Sequence, residues 1–252
     1  MVENQRPVAL VTGASKRIGA AISRHLHQAG FNVALHYGNS KTEAEGLAAE
    51  LNSSIPGSAA TFQADLRNLA SITTMTAQLL DYWHRVDTVI NNASTFFPTP
   101  IDSSVESDWH ELIDSNLKGP YFLIKQLTDT LQKQRGSVVN IIDINARHPL
   151  KGYPIYCIAK AGKAMLTKTL AKELAPQVNV NGVAPGSILW PEGKAEMSEE
   201  EKQKTLGTIP LQRLGTPDDI AALACFLASS AGYITGQIIA VDGGLHLQGD
   251  QG

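Results

Sequence analysis

The 252-residue sequence has little of what marks several classes of protein. Its two cysteines, Cys157 and Cys225, are isolated, which excludes a disulfide framework and a cysteine-based zinc motif and leaves both to pack as small apolar residues. Its net charge of −3, without a run of Lys and Arg, gives no reason to expect nucleic acid as a partner. No apolar run is long enough to span a bilayer, and the first residues lack the regions of a signal peptide. We therefore expect a cytoplasmic protein with no membrane partner.

Motifs for metal and acyl-transfer chemistry are also missing. No Gly-x-Ser-x-Gly elbow occurs, which argues against an acyl hydrolase. The histidines show no spacing typical of metal ligands, so we predict no metal site and no histidine site. These scattered histidines are His25, His27, His84, His110 and His246, with His148 on a predicted loop.

What the sequence does contain is a regular alternation of strand-like and helix-like segments. β-branched apolar runs predict strands near residues 7–13, 31–37, 58–65, 86–94, 136–143, 178–185 and 236–244. Helical periodicity predicts helices near residues 18–30, 41–52, 69–84, 106–116, 119–134, 153–174 and 217–229. This order predicts one α/β domain over residues 1–252, with a doubly wound parallel sheet of about seven strands. Ligands of such sheets bind beyond the carboxyl ends of the strands, here at Gly13, Asp65, Asn92, Asp143 and Pro185.

The stretch "VTGASKRIG" lies between the first strand and the first helix. Gly13 and Gly19 would permit a tight turn and close helix–strand packing, and a pyrophosphate could bind the free amides of the helix. Arg17 stands where a middle glycine is usual, and it either contacts a phosphate or is simply a solvated residue at the start of the helix. The pattern predicts a nucleotide site that Asn92 and Ala93 would border.

The end of the second strand, "ALHYGNSK", indicates which coenzyme is preferred. Sites for NAD place an acid about 20 residues after the glycines, but no acid precedes Glu43 here. Because Arg17 and Ser40 could bind a 2′-phosphate, we predict NADP(H) as cofactor. Asp65 could accept a hydrogen bond from the adenine amino group or could cap the following helix.

Three polar residues follow the fifth strand. Tyr156 and Lys160 are spaced i, i+4, so they share a helix face directed at the strand end that carries Asp143. We expect the Lys160 ammonium to lower the pKa of Tyr156 so that the phenol can donate a proton near neutrality. The same spacing also arises by chance in helices, and its position after a strand in a dinucleotide fold is what favours a catalytic role.

Together these segments resemble the short-chain dehydrogenase/reductase family over nearly the whole chain. The likeness rests on "TGASKRIG", "NNAS", Asn116, "YCIAK" and "VAPGSI" in the family's order. It implies a Rossmann fold, hydride transfer from nicotinamide, Tyr156 as proton donor, and a relay through Lys160 and Asn116. The resemblance and the residues together predict a cofactor site formed by Gly13, Arg17, Ile18, Gly19, His36, Asn39, Ser40, Asp65, Leu66, Asn92, Ala93, Ser94, Lys160, Pro185, Gly186, Ser187 and Ile188.

Two departures from the family pattern point to one subgroup. Most members have serine in place of Asp143 and glycine in place of Ser94, whereas the pteridine reductases are similar to this chain in "HYGNS", "NNASTFFPTP" and an aspartate before the tyrosine. That likeness implies that Phe96 stacks on a pterin. Asn39 differs from an arginine common in the subgroup. The predicted catalytic residues are Asp143, Tyr156, Lys160 and Asn116, and the predicted substrate contacts are Arg17, Ser94, Phe96, Asp143, Tyr156 and Trp190.

Several of these residues also have simpler interpretations. Asp143 could hydrogen-bond pterin nitrogens, could supply a proton if burial raises its pKa, or could only cap the chain after its strand. Phe96 and Phe97 could merely pack a loop. The polar stretch around residues 187–209 is a predicted substrate loop, either a solvated helix or a lid that Trp190 contacts.

We therefore predict an NADPH-dependent reductase that converts a dihydropterin or dihydrofolate to its tetrahydro form. The alternatives are a carbonyl reductase, such as a 3-oxoacyl thioester reductase, and a non-catalytic nucleotide-binding regulator. The resemblance implies a homotetramer that packs through the helices near residues 119–134 and 153–174 and the last strand.

Overall fold

The computed structural model describes residues 6–189 and 198–247. One seven-stranded sheet, parallel throughout, has the order β3-β2-β1-β4-β5-β6-β7. Its strands are β1 (Val8–Val11), β2 (Asn32–Tyr37), β3 (Ala59–Gln63), β4 (Thr88–Asn91), β5 (Ser137–Ile141), β6 (Asn179–Pro185) and β7 (Ile238–Val241). The predicted doubly wound α/β fold is confirmed.

The helices of the described residues cover both faces of this sheet. They are α1 (Arg17–Gln28), α2 (Lys41–Ser54), α3 (Leu69–Trp83), α4 (Glu106–Ile113), α5 (Gly119–Gln134), α6 (Pro154–Glu173), α7 (Glu199–Gly207) and α8 (Pro217–Ser229). The predicted break between the fourth and fifth helices is a π-helical turn, Asp114–Lys118, rather than a loop. Part of the polar stretch after β6 forms the short, solvated helix α7, while Trp190 lies outside the described residues.

Successive side chains of a strand point to opposite faces of the sheet, so the core is divided into two layers. In β1, Ala9 and Val11 belong to the cluster that α1 and α8 cover, whereas Val8 and Leu10 belong to the cluster under α3 and α5. All four residues of this strand are fully buried. A strand covered on both faces gains burial from every side chain, which explains its continuous apolar sequence.

The order of the strands reverses at β1, which pairs with β2 on one side and β4 on the other. The connections from these strands leave in opposite directions and open a crevice beyond their carboxyl ends. Thr12 joins the two strands there, because its hydroxyl donates to the Ile90 carbonyl at 3.2 Å and accepts from the amides of Asn92 and Ala93 at 3.0 Å each. The predicted positions after the strands therefore lie along one edge of the sheet.

Among the residues described, no helix combines the length and apolarity that a membrane span needs. Within the same ranges, no three His, Cys, Asp or Glu side chains are grouped to hold a metal ion.

Candidate active site

The glycine turn after β1 is built as the spacing predicts. Gly13 has a φ of 61°, which favours glycine, and a Cβ on Gly19 would overlap the carbonyl oxygen of Gly13. The same Cβ would lie 2.7 Å from Nδ2 of Asn92, which donates to the carbonyls of Thr12 at 2.9 Å and Gly13 at 3.0 Å. Asn92 therefore fixes the turn, and Gly19 lets α1 approach it closely.

The amino end of α1 is suited to an anion. Lys16 is its N-cap residue in an extended conformation, no side chain caps the helix, and the first turn has no acid. The uncapped amides and the helix dipole favour a negative charge at this point. Arg17 is exposed, has a φ of 50°, and makes no hydrogen bond or ion pair within the described chain. A cavity of about 310 Å³ opens here. Its walls include Gly13, Arg17, Ile18, Gly19, Asn92, Ala93, Ser94 and Ile188.

A second cavity of about 260 Å³ continues from the first, since both share Gly13, Ala93 and Ser94. It is also lined by the predicted residues His36, Asn39, Asp65 and Leu66. Two adjoining cavities therefore run along the strand ends at the predicted cofactor residues.

His36 borders this cavity, yet both of its ring nitrogens already have partners. Nδ1 accepts from the Gly13 amide at 3.1 Å, which places the proton on Nε2, 3.1 Å from the Ala64 carbonyl. Burial lowers the pKa of His36 to about 4, so the ring is neutral at physiological pH. Its side chain supports the glycine turn instead of offering a donor to a phosphate.

Asp65 does not cap α3, so that alternative is wrong. Asn68 is the N-cap and accepts from the amides of Ala70 and Ser71. Asp65 instead pairs with Arg67, whose side-chain hydrogen bonds lower the pKa of the carboxyl group. An ionised carboxylate thus borders the cavity.

The junction between β2 and α2 contains the nearest acid. Glu43 lies in the first turn of α2 and pairs with Lys16 at 2.5 Å, so its charge is compensated. Ser40 is the N-cap residue of α2, but its side chain makes no capping hydrogen bond. Its hydroxyl is therefore available to a ligand.

Asp143 and Tyr156 meet beyond β5. The Tyr156 hydroxyl donates to Oδ2 of Asp143 at 2.7 Å, and Oδ1 accepts from the Asn145 amide at 2.8 Å. The aspartate thus caps the short 3₁₀ turn Ile144–Ala146 with one oxygen and binds the phenol with the other. The interpretation of Asp143 as a cap is confirmed for Oδ1, whereas its hydrogen bond to a pterin stays a prediction.

The expected lowering of the Tyr156 pKa is wrong. Burial, and then the adjacent Asp143 carboxylate, raise the pKa of Tyr156 well above its usual value. Nζ of Lys160 lies over the ring, 5.4 Å from its centroid, and 3.5 Å from the Ile141 carbonyl, instead of beside the hydroxyl. Burial lowers the pKa of Lys160 itself to about 8, although Asp143 opposes this change.

Phe96 lies over the phenol. Its ring stacks on Tyr153 at 4.6 Å and meets the ring of Tyr156 edge-on at 4.7 Å. Phe96 is 53% exposed, whereas Phe97 packs into the apolar cluster around Leu112 and Ile155. The packing role is confirmed for Phe97, whereas the half-exposed Phe96 packs on two tyrosine rings and its contact with a pterin stays a prediction.

Asn116 is fully buried in the π-helical turn. Its amide group donates to the carbonyls of Thr95 and Leu112 at 3.0 Å each, and its oxygen accepts from the Ser94 hydroxyl at 2.6 Å. The neighbouring Ser94 hydroxyl partly offsets the raised pKa of Tyr156. Asn116 thus holds the Ser94 side chain, and no hydrogen bond joins Asn116 to Lys160 in the described residues.

The end of β6 closes the site. The Gly186 amide donates to the Val241 carbonyl at 3.1 Å, and a Cβ on Gly186 would lie 2.5 Å from Cβ of Asp242. Pro185 ends β6, the Ser187 carbonyl accepts from Gly215, and Ile188 reaches the cavity at α1. The four predicted residues keep the expected place.

One residue that the sequence reasoning missed is Lys163. It is fully buried, and its Nζ donates to the Asn91 carbonyl at 2.9 Å. Burial, and then the neighbouring Lys160, lower its pKa well below the usual value. The spacing Tyr156, Lys160, Lys163, which keeps one helix face, was the available signal.

Comparison with known proteins agrees with this geometry. A family described as Enoyl-(Acyl carrier protein) reductase matches residues 13–246. Pteridine reductase 1 of Leishmania tarentolae is 39% identical over 282 aligned positions, covering 96% of each chain. A 3-oxoacyl-[acyl-carrier-protein] reductase of Staphylococcus epidermidis is 38% identical over 242 positions, covering 95% of this chain and 98% of that protein. The similar identities do not distinguish the two substrates.

Proposed function

The chain belongs to the short-chain dehydrogenase/reductase family of oxidoreductases, and from that premise we propose that it is an NADPH-dependent pteridine reductase. It would reduce a dihydropterin or dihydrofolate to the tetrahydro form. The observation that carries this proposal is the 2.7 Å hydrogen bond from the Tyr156 hydroxyl to the Asp143 carboxylate. Because the Asp143 carboxylate accepts hydrogen bonds, the substrate must donate one to it. The serine that is usual at this position in the family can instead donate to the substrate.

The residues present fit a dinucleotide. Gly19 lets α1 pack closely against the glycine turn, and the uncapped amides of this helix would hold a pyrophosphate. Arg17 and Ser40, both without side-chain partners among the described residues, would hold a 2′-phosphate. When bound there, NADPH would supply a hydride to the carbon of a C=N bond.

Side chains of the protein would bind the N–H groups of the substrate and donate a proton to it. A pterin presents an exocyclic amine and ring N–H groups, which can donate to Asp143, and Phe96 offers a half-exposed ring for offset stacking. Tyr156 holds a proton at its hydroxyl, next to the place where a ring nitrogen would receive one. Lys160 under the ring holds the phenol in position.

A 3-oxoacyl thioester reductase is the second candidate, because the staphylococcal relatives are almost as similar. Its reaction builds negative charge on a carbonyl oxygen, which hydrogen-bond donors stabilise. A carboxylate in the position of Asp143 would repel that charge. A non-catalytic regulator is a weaker candidate, because it has no use for a buried phenol that is hydrogen-bonded to a carboxylate and has a buried amine against its ring.

The deciding experiment follows NADPH absorbance with dihydrobiopterin, dihydrofolate, acetoacetyl thioester and no substrate. We expect turnover with a pteridine, little with the thioester, and a loss of roughly 10²-fold or more in Asp143→Ala. Tyr156→Phe serves as the inactive reference, and Asp81→Asn as a control that removes an exposed carboxylate on α3. Preference for the thioester, or normal pteridine turnover in Asp143→Ala, would contradict the proposal.

We also propose that the enzyme is a homotetramer. Three apolar side chains on α5 and α6 are 43–59% exposed, namely Tyr121, Ile158 and Met165. Such exposure supports a contact between subunits through these two helices. Light scattering after size exclusion would show a mass four times that of the chain, and a monomer would contradict this assembly.

A further inference from the structure

Helix α6 carries a stripe of polar side chains on the face that it turns toward the sheet. The stripe has the spacing i, i+4, i+7, i+11, which keeps to one side of a helix. Its members are Tyr156, Lys160, Lys163 and Thr167, all between 0% and 4% exposed. The exposed side chains of Ile158 and Met165 lie outside this stripe, so the stripe is independent of the proposed contact between subunits. Its first two members belong to the proposed active site, whereas the last two have no role there.

A closed ring of hydrogen bonds joins this stripe to β4 and β5. Nζ of Lys163 donates to the Asn91 carbonyl at 2.9 Å, and Nδ2 of Asn91 donates to Oδ1 of Asn140 at 2.9 Å. Nδ2 of Asn140 donates to the Thr167 hydroxyl, which donates back to the Lys163 carbonyl, again at 2.9 Å each. All four residues are fully buried. Because a buried polar network favours one arrangement of its elements, the ring fixes α6 against the ends of the two strands.

Asn91 is the member of the ring that depends most on Lys163. Its Oδ1 is buried and has no hydrogen-bond partner among the described residues. Without Lys163, the Asn91 carbonyl would also lose its side-chain donor, and buried acceptors without partners are costly. Asn91 directly precedes Asn92, which fixes the glycine turn. The ring therefore lies behind residues that shape the predicted cofactor site.

Lys160 and Lys163 place two amines in the same buried layer. Nζ of Lys160 lies 3.5 Å from the carbonyl of Ile141, the residue that follows Asn140 of the ring. Burial, and then the charge of Lys160, lower the pKa of Lys163 well below its usual value, whereas the pKa of Lys160 falls to about 8. In the described part of the chain, Lys160 is the only charged group that shifts the pKa of Lys163, and the ring members from β4 and β5 are uncharged amides. Of the two amines, only Lys160 is favoured as an ammonium by Asp143, so the charge of the pair resides on Lys160 at neutral pH.

We propose that Lys163 is a positioning residue for Lys160: through the ring it holds the inner face of α6 against β4 and β5, and as an uncharged neighbour it leaves the Lys160 ammonium in place against the Tyr156 ring. The inference rests on the proposed reduction and adds a residue to it. Hydride and proton transfer depend on the distance between Tyr156 and the coenzyme, so a small rotation of α6 would lower kcat more than it raises KM.

The first test measures steady-state kinetics of the proposed pteridine reduction in Lys163→Met, Thr167→Val and Lys172→Met. We expect Lys163→Met, which keeps the length of the side chain but removes the donor, to lower kcat about tenfold with KM nearly unchanged. Thr167→Val breaks the ring at another member and should lower kcat in the same way. Lys172→Met removes an exposed lysine from the last turn of α6 and should match wild type. A wild-type kcat in Lys163→Met would overturn the positioning role.

The second test needs no substrate. Calorimetric titration with NADPH at several pH values follows the Lys160 ammonium, because the Kd should rise as this group loses its proton, with a midpoint near pH 8. Lys163→Met should keep this midpoint, whereas the permanent charge of Lys163→Arg should move it down by about one pH unit or more, since a like charge disfavours the ammonium. A change of packing alone would alter the Kd without moving the midpoint. Equal midpoints in the two variants, or no rise of the Kd in wild type, would refute the role of Lys163.

The two proposals fail separately. If the midpoints behave as expected and no pteridine is reduced, the proposed function fails while the role of Lys163 stands. If a pteridine is reduced and the midpoints are equal, the reverse holds. Circular dichroism checks that each variant is folded, and should Lys163→Arg not fold, the kcat values of Lys163→Met and Thr167→Val decide the role of Lys163.

Discussion

Replacing Asp143 by Asn should lower the pKa of Tyr156, since the carboxylate is one of the two main reasons why that pKa is raised. The two oxygens are 2.7 Å apart. With an effective dielectric constant of about 20, two negative charges at this separation repel by roughly 6 kcal/mol, or about four pKa units. Burial of the phenol remains in the variant and water screens part of the repulsion, so we expect the pKa of Tyr156 to fall by less than this figure.

The assay follows phenolate absorbance against pH. The chain has six tyrosines, so the signal of Tyr156 is isolated by subtracting the matching Tyr156→Phe protein. In wild type this difference should stay flat until the protein unfolds in alkali, whereas in Asp143→Asn it should show one titrating phenol. Asp65→Asn controls for removal of a carboxylate elsewhere. An unchanged difference curve in Asp143→Asn would mean that burial alone sets this pKa, and that Asp143 acts only as the cap of its turn.

Three further predictions test other parts of the site. Gly19→Ala should weaken NADPH binding by at least about tenfold in calorimetry, since its Cβ overlaps the Gly13 turn, whereas Gly46→Ala, in open space on α2, should leave binding unchanged. Arg17→Gln should raise the Kd of NADPH roughly tenfold or more and spare that of NADH, and equal effects on both coenzymes would exclude a 2′-phosphate contact. In urea unfolding, wild type should gain stability relative to Lys163→Met as pH rises toward 10.5, because the folded protein holds this amine neutral while the unfolded chain protonates it. A pH-independent difference would contradict the lowered pKa.

The sequence predicted the sheet and its functional edge because both follow from local patterns. Runs such as Val8–Val11 are apolar at every position only when both faces are covered, and alternation with helices requires parallel crossovers. Polar residues directly after such strands, among them Asn92 and Asp143, must then lie at one edge. The π-helical turn at Asp114–Lys118 was not predictable in this way, since its residues are compatible with an ordinary helix.

Side-chain roles within the site were less predictable. His36 and Asn92 were expected at the cofactor; both line the cavities there and both also bind the backbone of the glycine turn, a role that the strand-end position alone does not reveal. The pKa of Tyr156 is raised by burial and by the Asp143 carboxylate, and helical spacing alone reveals neither. Neither does it reveal that Arg147 and His246, 99 positions apart in the sequence, share a cavity.

A phenol that donates to a carboxylate is a poor acid, and this property can select the substrate in the proposed reaction. If a pterin amine or ring N–H donates to Asp143, the carboxylate gains a donor other than the Tyr156 hydroxyl. Its negative charge, which opposes ionisation of Tyr156, is then partly neutralised. The pKa of Tyr156 then falls only when a ligand with N–H donors is bound. A 3-oxoacyl thioester has no such donor at its reacting carbonyl, so it would meet a phenol still held by Asp143. On this reasoning Asp143→Ser should improve reduction of acetoacetyl thioester relative to dihydropterin, and a ratio of the two kcat/KM values equal to that of wild type would show that Asp143 does not select the substrate.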